Sequence, residues 1–157
     1  MKLIFVFFSI CMVTAKAQCP KGYDLWLGYD KIEQGIAIND YNRLTESIFF
    51  PSGSDVLEAS RKELARGLNS MLGMHPVFSD SWERKNTMLV AKKNDLDTKV
   101  LELLGMDYDD IGREGFLIKT ILLKGQEVLV ITANEDVGIL YGVFRFLRLM
   151  QSHQPLG

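Results

Sequence analysis

Hydrophobic and polar positions along the chain predict an alternation of short strands and amphipathic helices. Residues 23–29 alternate between the two classes, as a half-buried strand does. A later apolar stretch stops at Pro51, which disfavours continuation of a strand. The pattern predicts four short strands in the first part of the chain, over residues 23–29, 43–50, 75–78 and 87–90.

The second half of the chain carries the strongest strand signal. Residues 115–123 and 127–132 are nearly continuous apolar runs, and Lys124-Gly125-Gln126 between them predicts a hairpin. Both runs are apolar on both faces, so we expect the two strands to be covered on both sides.

Helical spacing predicts two helices before the hairpin. The first covers residues 55–72 and follows the turn Ser52-Gly53-Ser54, with Asp55 and Glu58 resembling a capping box. Its apolar face contains Leu57, Leu64, Leu68 and Met71, opposite Arg61, Lys62 and Arg66. A shorter helix over residues 100–104 is introduced by Asp95 and Asp97 and ends at Gly105.

A final helix is predicted after Asn134, which is expected to cap it while Glu135 and Asp136 complement its dipole. Its apolar residues cover about half of the circumference, more than one sheet must cover. A second helix or another domain is therefore expected to pack on it. The apolar set is Val137, Ile139, Leu140, Val143, Phe144, Phe146, Leu147 and Met150.

Other positions of this helix suggest how it makes contacts. Gly138-x-x-x-Gly142 favours close packing of the helix against a neighbour. Tyr141, Arg145 and Arg148 lie on the remaining side and are the candidate domain-interface residues. The mixed order of all these elements predicts an α+β fold, with helices packed on a mixed β-sheet.

The two ends of the chain differ from the region between them. Residues 1–17 combine Lys2, an apolar run and Ala15-Lys16-Ala17, which together predict a signal peptide, and the run is too short to span a bilayer. The protein is therefore expected to be exported, to the periplasm or the medium, with no membrane segment after cleavage. Residues 18–150 are the predicted domain, and the polar residues 151–157 are interpreted as a truncated linker.

Composition excludes several classes of function. The chain has 157 residues and a net charge of −2, without the basic surplus that nucleic-acid binding requires. Two cysteines, one of them inside the predicted signal peptide, exclude a disulfide framework and a cysteine-based zinc site.

No motif assigns catalytic, cofactor-binding or metal-ligating residues. His75 and His153 are the two histidines of the chain, and His75, before Pro76, is interpreted as a loop residue. Residues 107–110 (DYDD) lack the remaining ligands of a calcium loop, which favours a solvated acidic loop. Residues 112–115 (GREG) favour a turn rather than a phosphate loop. A carboxylate pair for glycoside hydrolysis stays open, since Asp and Glu are plentiful.

Three segments together carry a resemblance to a known family. They are residues 22–29 (GYDLWLGY), 112–119 (GREGFLIK) and 134–149 (NEDVGILYGVFRFLRL). In this order they resemble the N-terminal domain of α-glucuronidases of glycoside hydrolase family 67, over residues 20–156. The segment 136–142 is the most specific part.

The resemblance implies an α+β domain similar to the non-catalytic domain that precedes the barrel in β-hexosaminidases. In family 67 it packs against a (β/α)₈ barrel that removes 4-O-methyl-glucuronic acid from xylan-derived oligosaccharides with inversion. A barrel typically needs about 250 residues, so no family catalytic residue has a matching position here. The resemblance therefore implies an accessory domain without its barrel and without activity of its own.

Two other functions remain open from the residues. A free-standing carbohydrate-binding or adapter module would use Tyr23, Trp26, Tyr29 and Trp82 as stacking platforms, although core packing also explains Tyr23 and Trp26. A small independent hydrolase is the other alternative. Self-association through the apolar surface of the last helix is expected if no partner domain covers it.

Overall fold

The computed structural model describes residues 28–32, 36–83, 85–105 and 111–153. The predicted signal peptide, most of the strand predicted over 23–29, the acidic loop 107–110 and the end of the tail lie outside these ranges. The elements in chain order are α1 (Ile36–Thr45), β1 (Ser47–Phe49), α2 (Asp55–Leu72), β2 (Val77–Ser79), β3 (Met88–Lys92), a 3₁₀ turn (Lys93–Asp95), α3 (Thr98–Leu104), β4 (Phe116–Leu123), β5 (Gln126–Ala133) and α4 (Asp136–Gln151).

The described strands form one mixed sheet in the order β2-β1-β3-β5-β4. Strand β1 pairs in parallel with β2 and β3, and β3 pairs in parallel with β5. Strand β4 pairs antiparallel with β5. The predicted α+β fold with a mixed sheet is therefore confirmed.

Three helices cover one face of the sheet. Leu64 and Leu68 of α2 and Ile139 and Phe146 of α4 are fully buried there, against a floor made by the inward residues of β1, β3 and β5. These floor residues are Ile48, Met88, Val90, Leu129, Ile131 and Ala133. Helix α1 adds Tyr41 and Leu44 to the same core. The prediction that Leu57, Leu64, Leu68 and Met71 form the buried face of α2 is confirmed.

The opposite face of the sheet has a thinner cover. The seven-residue helix α3 contributes Val100 and Leu104, which pack on Phe49, Leu89 and other outward residues of the sheet. Asp97 caps this helix and Gly105 ends it in the left-handed conformation (φ 65°), as the sequence predicts. One short helix leaves grooves on this face of the sheet.

The predicted hairpin is confirmed, with Lys124 and Gly125 at its tip, both at positive φ (51° and 82°). Strand β5 is buried on both faces, as expected. Strand β4 is less completely buried: its residues pack into the cores on both faces, but Leu122, near the hairpin tip, is 63% exposed. Strand β4 lies at the edge of the described sheet, with α4 against one face and α3 against the other, so the expectation is met except near the hairpin tip.

Three local predictions are corrected by the structure. Residues 43–45 belong to α1 rather than to a strand, because Tyr41 and Leu44 recur at the helical spacing of three and both are buried. Gly28 and Tyr29, at the end of the strand predicted over 23–29, are not in a strand. The cap of α2 is Ser54 rather than Asp55, and its side chain accepts a hydrogen bond from the Leu57 amide.

The start of α4 also differs from the prediction. Glu135 is the cap residue, and its side chain makes no capping hydrogen bond. The side-chain amide of Asn134 donates to the Gly112 carbonyl. Asn134 therefore holds the loop before β4 instead of capping the helix. The predicted turn over 112–115 is confirmed, with Gly112 at φ 68°.

The wide apolar arc of α4 is explained by two neighbours. The sheet covers one side and α2 the other, where a Cβ on Gly67 would lie 2.6 Å from Leu147 Cδ2. A second helix therefore meets the expectation from the sequence. Gly138 and Gly142 do permit close packing, and their partner is the sheet: a Cβ on Gly138 would lie 2.5 Å from the Gly115 carbonyl oxygen.

Candidate functional site

An exposed strip runs along the outer side of α4. It consists of Tyr141, Arg145 and Arg148, which we call the α4 strip, and Tyr141 is 42% exposed. The sheet and α2 occupy the other sides of this helix, so the strip faces solvent. Two guanidinium groups beside a half-exposed aromatic ring are typical of protein interfaces, where Arg and Tyr are enriched.

A second feature lies on the opposite side of the sheet, around Trp82. This side chain is 38% exposed and packs edge-on against Phe49, with ring centroids 6.4 Å apart. Two adjoining cavities of about 130 and 170 Å³ border it, and both are also lined by Asp97 and Val100 of the α3 region. We call the two together the Trp82 groove.

The two cavities of the Trp82 groove differ in charge. The smaller is lined by Lys99, Lys124, Gln126 and Asp97 over an apolar floor. The larger is lined by Asp95 and Asp97 and by apolar residues of the sheet and α3 region. Of the described lining residues, the two lysines therefore lie at one end of the groove, and the charged residues at the other end are carboxylates.

The loop that carries Trp82 is held on its C-terminal side by Asn86, which is fully buried. The Asn86 side-chain oxygen accepts from the Glu83 amide at 2.7 Å, and its Nδ2 donates to Ser47 Oγ at 3.0 Å. Gln126 Nε2 lies 3.5 Å from the Asn86 carbonyl oxygen. Because both polar ends of a buried amide are bonded, the loop has a defined position relative to β1.

On the N-terminal side of Trp82 the loop is held by Asp80. The Ser52 hydroxyl and amide donate to Asp80 Oδ1 at 2.7 and 2.8 Å, and Arg61 approaches it at 3.3 Å. The hydrogen bonds from Ser52, with a smaller contribution from Arg61, hold the pKa of Asp80 below its usual range. Trp82 thus lies between two anchored positions.

A polar cluster lies at the edge of the sheet where the parallel strands end. Ser54 Oγ donates to Asp136 Oδ2 at 2.6 Å, and Lys92 Nζ lies 2.9 Å from Asp136 Oδ1. Hydrogen bonding from Ser54, followed by Lys92, lowers the pKa of Asp136, and Asp136 raises the pKa of Lys92. Ligands of open sheets often bind at this edge. Here Ser54 and Lys92 both bond to Asp136, which makes the cluster a structural link.

A second polar cluster surrounds the buried carboxylate of Glu63. The Tyr29 hydroxyl donates to Glu63 Oε1 at 2.6 Å, and Arg66 NH2 lies 2.9 Å from the same oxygen. The Arg66 guanidinium also lies 5.2 Å from the centre of the Tyr29 ring. Burial, and then the hydrogen bond to Glu63, raises the pKa of Tyr29. This cluster fastens residues 28–32 to α2.

The aromatic residues considered as a sugar platform are not brought together. Tyr29 packs on the helix-covered side of the sheet, and Trp82 lies on the other side against Phe49. Trp26 and Tyr23 lie outside the described residues. Of the two described rings, Trp82 borders both cavities and Tyr29 borders neither.

The two histidines do not form part of a candidate site among the described residues. His75 is exposed and lies 3.2 Å from the Asn69 side-chain amide, and His153 follows the end of α4 at φ 54°. In the ranges that the structure describes, no group of three or more His, Cys, Asp or Glu is placed to hold a metal ion. None of the described helices is long and apolar enough to cross a membrane.

Comparison with known proteins identifies the family. The sequence matches the family described as "Glycosyl hydrolase family 67 N-terminus" over residues 25–146. No match was found among curated proteins. Among solved structures, a family GH115 4-O-methyl-α-glucuronidase with specificity for decorated arabinogalactans is similar, at a TM-score of 0.50 and 21% sequence identity.

The structural likeness concerns the fold. It covers 66% of this chain and 13% of the GH115 protein, so the matched region is a small part of that protein's length. The family match, in contrast, includes every strand of the described sheet and most of α4. The chain belongs to the N-terminal domain family of glycoside hydrolase family 67.

Proposed function

We propose that this domain is the non-catalytic accessory domain of an α-glucuronidase that acts on 4-O-methyl-glucuronic acid side chains of xylan-derived oligosaccharides. The observation that carries the proposal is the family match over residues 25–146. In this role the domain binds a catalytic (β/α)₈ barrel and contributes no reacting group.

The placement of the carboxylates supports a non-catalytic role. A glycosidase needs a general acid whose pKa is raised by burial, facing a second carboxylate across the substrate. Asp95 and Asp97 share a cavity in the Trp82 groove, but both are exposed, and Asp97 Oδ1 accepts from the Lys99 amide as the cap of α3. The buried carboxylate Glu63 is bonded to Tyr29 and Arg66 and lines neither cavity of the Trp82 groove.

The α4 strip supports a docking role. Interfaces are enriched in Arg and Tyr, and isolated exposed aromatics of this kind are common anchors. Leu122, 63% exposed, lies at the end of the edge strand β4 on the same face of the sheet as α4. We infer that the catalytic barrel covers this side of the domain, with Tyr141 as its anchor.

Residues 1–17 support export. Their positive residue, apolar run and Ala15-Lys16-Ala17 site match a secretory signal, and an exported enzyme would meet polysaccharide-derived substrates. We propose that the domain acts in the periplasm or outside the cell. Mass spectrometry of the protein from an exporting host is expected to show cleavage after Ala17, and a retained Met1 would contradict export.

A reconstitution tests the accessory role. The chain is mixed with the isolated catalytic domain of a family 67 α-glucuronidase, and release of glucuronic acid from aldouronic oligosaccharides is measured. We expect no release by the chain alone, and a complex with the barrel in analytical ultracentrifugation. Alanine at Tyr141, Arg145 and Arg148 together is expected to weaken that complex at least tenfold, since hot-spot truncations reach about 2 kcal/mol.

A matched variant controls for loss of exposed side chains. Leu103→Ala, Lys62→Ala and Arg113→Ala remove one apolar and two cationic exposed groups elsewhere on the domain. This variant is expected to bind the barrel like the wild type. Glucuronic acid released by the chain alone, or equal binding by both triple variants, would contradict the proposal. Dimers of the chain that compete with the barrel would indicate self-association through the same strip.

A further inference from the structure

We propose that the Trp82 groove binds a uronic acid, with the sugar ring against Trp82 and its carboxylate between Lys99 and Lys124. This site is separate from the α4 strip, which lies on the other side of the sheet. The inference goes beyond the accessory role and does not depend on it.

The first support is an accessible aromatic surface beside a cavity of suitable size. Trp82 is 38% exposed and borders both cavities of the groove. The smaller cavity, about 130 Å³, has room for about four water molecules. It lies well below the 300–1,000 Å³ of pockets for drug-sized ligands. The carboxylate of a sugar acid fits this space, and the apolar face of its pyranose ring can pack on the indole at the open side of the cavity.

The second support is the charge of the smaller cavity. Lys99 and Lys124 line it together with one carboxylate, Asp97, whereas the chain as a whole has a net charge of −2. The Asp97 carboxylate is engaged by the Lys99 amide at 2.8 Å. Two ammonium groups against one carboxylate therefore favour an anionic ligand at this place.

The third support is the difference in charge between the two ends of the groove. Among the residues that the structure describes, Asp95 and Asp97 line the larger cavity and no cationic side chain does. A carboxylate on the ligand is repelled from that end and attracted to the lysine end. Sugar hydroxyls can donate to Asp95 and Asp97 or bond to Gln126. This combination of an aromatic surface, hydroxyl acceptors and ammonium groups selects a carboxylated sugar over a plain anion.

The fourth support is the anchoring of Trp82. Asn86 is buried and bonded at both ends of its amide, and Asp80 is bonded to Ser52 on the other side of the loop. A ring held in advance loses little conformational freedom on binding. The loop is thus built to present Trp82 at the surface even though a more deeply packed indole would bury more apolar area.

The test uses the 157-residue chain labelled with ¹⁵N. Its two tryptophans give two indole signals, which Trp82→Phe assigns, and Trp26 serves as the internal reference. Titration with glucuronate is expected to shift the Trp82 signal saturably, with a Kd of about 1 mM, typical of a small exposed site. Glucose is expected to bind about tenfold more weakly, because it lacks the charge.

Variants separate the two parts of the site. Lys99→Gln and Lys124→Gln are each expected to weaken the binding of glucuronate about threefold, which is the effect of losing one exposed ion pair. Neither variant is expected to change the affinity for glucose. Lys62→Gln, on the exposed side of α2, is the matched control and should have no effect. Trp82→Ala is expected to abolish binding, measured by the shifts of the Lys99 and Gln126 amides.

Three results would overturn the proposal. They are the absence of a saturable shift at Trp82, equal affinities for glucuronate and glucose, or an equal shift of Trp82 with acetate, which would reveal an anion site without sugar recognition. If Trp82→Ala fails to fold, the lysine variants still decide the question. None of these results bears on binding of the barrel, which the reconstitution measures separately.

Discussion

The Ser54 hydroxyl donates a 2.6 Å hydrogen bond to the Asp136 carboxylate and so joins the first turns of α2 and α4. The same hydroxyl accepts from the Leu57 amide at 3.3 Å and caps α2. Asp136 is the first residue of α4, where a negative charge complements the helix dipole. One serine thus connects two helices that are 82 residues apart in sequence at this contact.

Ser54→Ala is expected to destabilise the domain by about 1–2 kcal/mol, since it removes a helix cap and a charge-assisted hydrogen bond together. Urea unfolding followed by circular dichroism measures this loss. Ser70→Ala, on the exposed face of the same helix, is the control and is expected to change stability by less than about 0.5 kcal/mol. Equal stability of the two variants would show that the Ser54 contact contributes nothing.

Stability is expected to fall in acid partly through Asp136. Its pKa is lowered in the folded state by Ser54 and Lys92, so its contribution is complete above the unfolded-state pKa, about 3.9. The contribution is lost as the pH falls through the lower, folded-state pKa. The pKa of Lys92 is raised, so its share of the same pair is lost only in strong alkali.

The measurement is urea unfolding of wild type and Asp136→Asn across this range. The variant should be less stable than the wild type at neutral pH, and the difference should shrink below about pH 4. Asp55→Asn, which neutralises an exposed carboxylate in the first turn of α2, is the control for the loss of a negative charge at a helix start. A constant difference between wild type and Asp136→Asn from neutral to acid pH would contradict this role of Asp136.

Gly138→Ala is expected to destabilise the domain by about 2–3 kcal/mol, although alanine is the better helix former by about 1 kcal/mol. The added Cβ would lie 2.5 Å from the Gly115 carbonyl oxygen and 2.7 Å from Ala133 Cβ, so α4 would have to move away from the backbone just before β4 and from the end of β5. Thermal unfolding measured by calorimetry gives the loss.

Gly67→Ala is the comparison for this prediction. The three atoms nearest to its added Cβ all belong to the side chain of Leu147, the closest being Cδ2 at 2.6 Å, and that side chain has more freedom to adjust than a backbone carbonyl. A smaller loss is expected at Gly67 than at Gly138. The opposite order would show that α4 slides easily on the sheet.

Local pattern predicted the elements whose signals lie within one segment. The helix over 55–72 has identical bounds in the structure, because its apolar face, polar face and preceding turn are all contained in the segment. The hairpin was predicted for the same reason, from two apolar runs and a glycine turn. Helix α1 was missed, since its few buried residues adjoin the more obvious apolar run of β1.

The α4 strip lies within one segment and could be predicted from the sequence, whereas the Trp82 groove is made of distant segments and could not. The α4 strip follows from 100° spacing along one helix, and the structure places Tyr141, Arg145 and Arg148 at the surface as expected. The Trp82 groove combines Trp82 with Lys99 and Lys124, which are far apart in sequence. Its supporting residue Asn86 carries no signal in the sequence, because a buried asparagine and a loop asparagine look alike.

By itself, the sequence determined the main helices, the hairpin and the family, because propensity, amphipathic period and motif order are properties of neighbouring residues. Tertiary structure decided which faces are covered: β4 became an edge strand, Gly138 met the sheet, and Ser54 joined Asp136. These outcomes depend on which segments meet in space, and burial, hydrogen-bond partners and cavities arise only from that meeting.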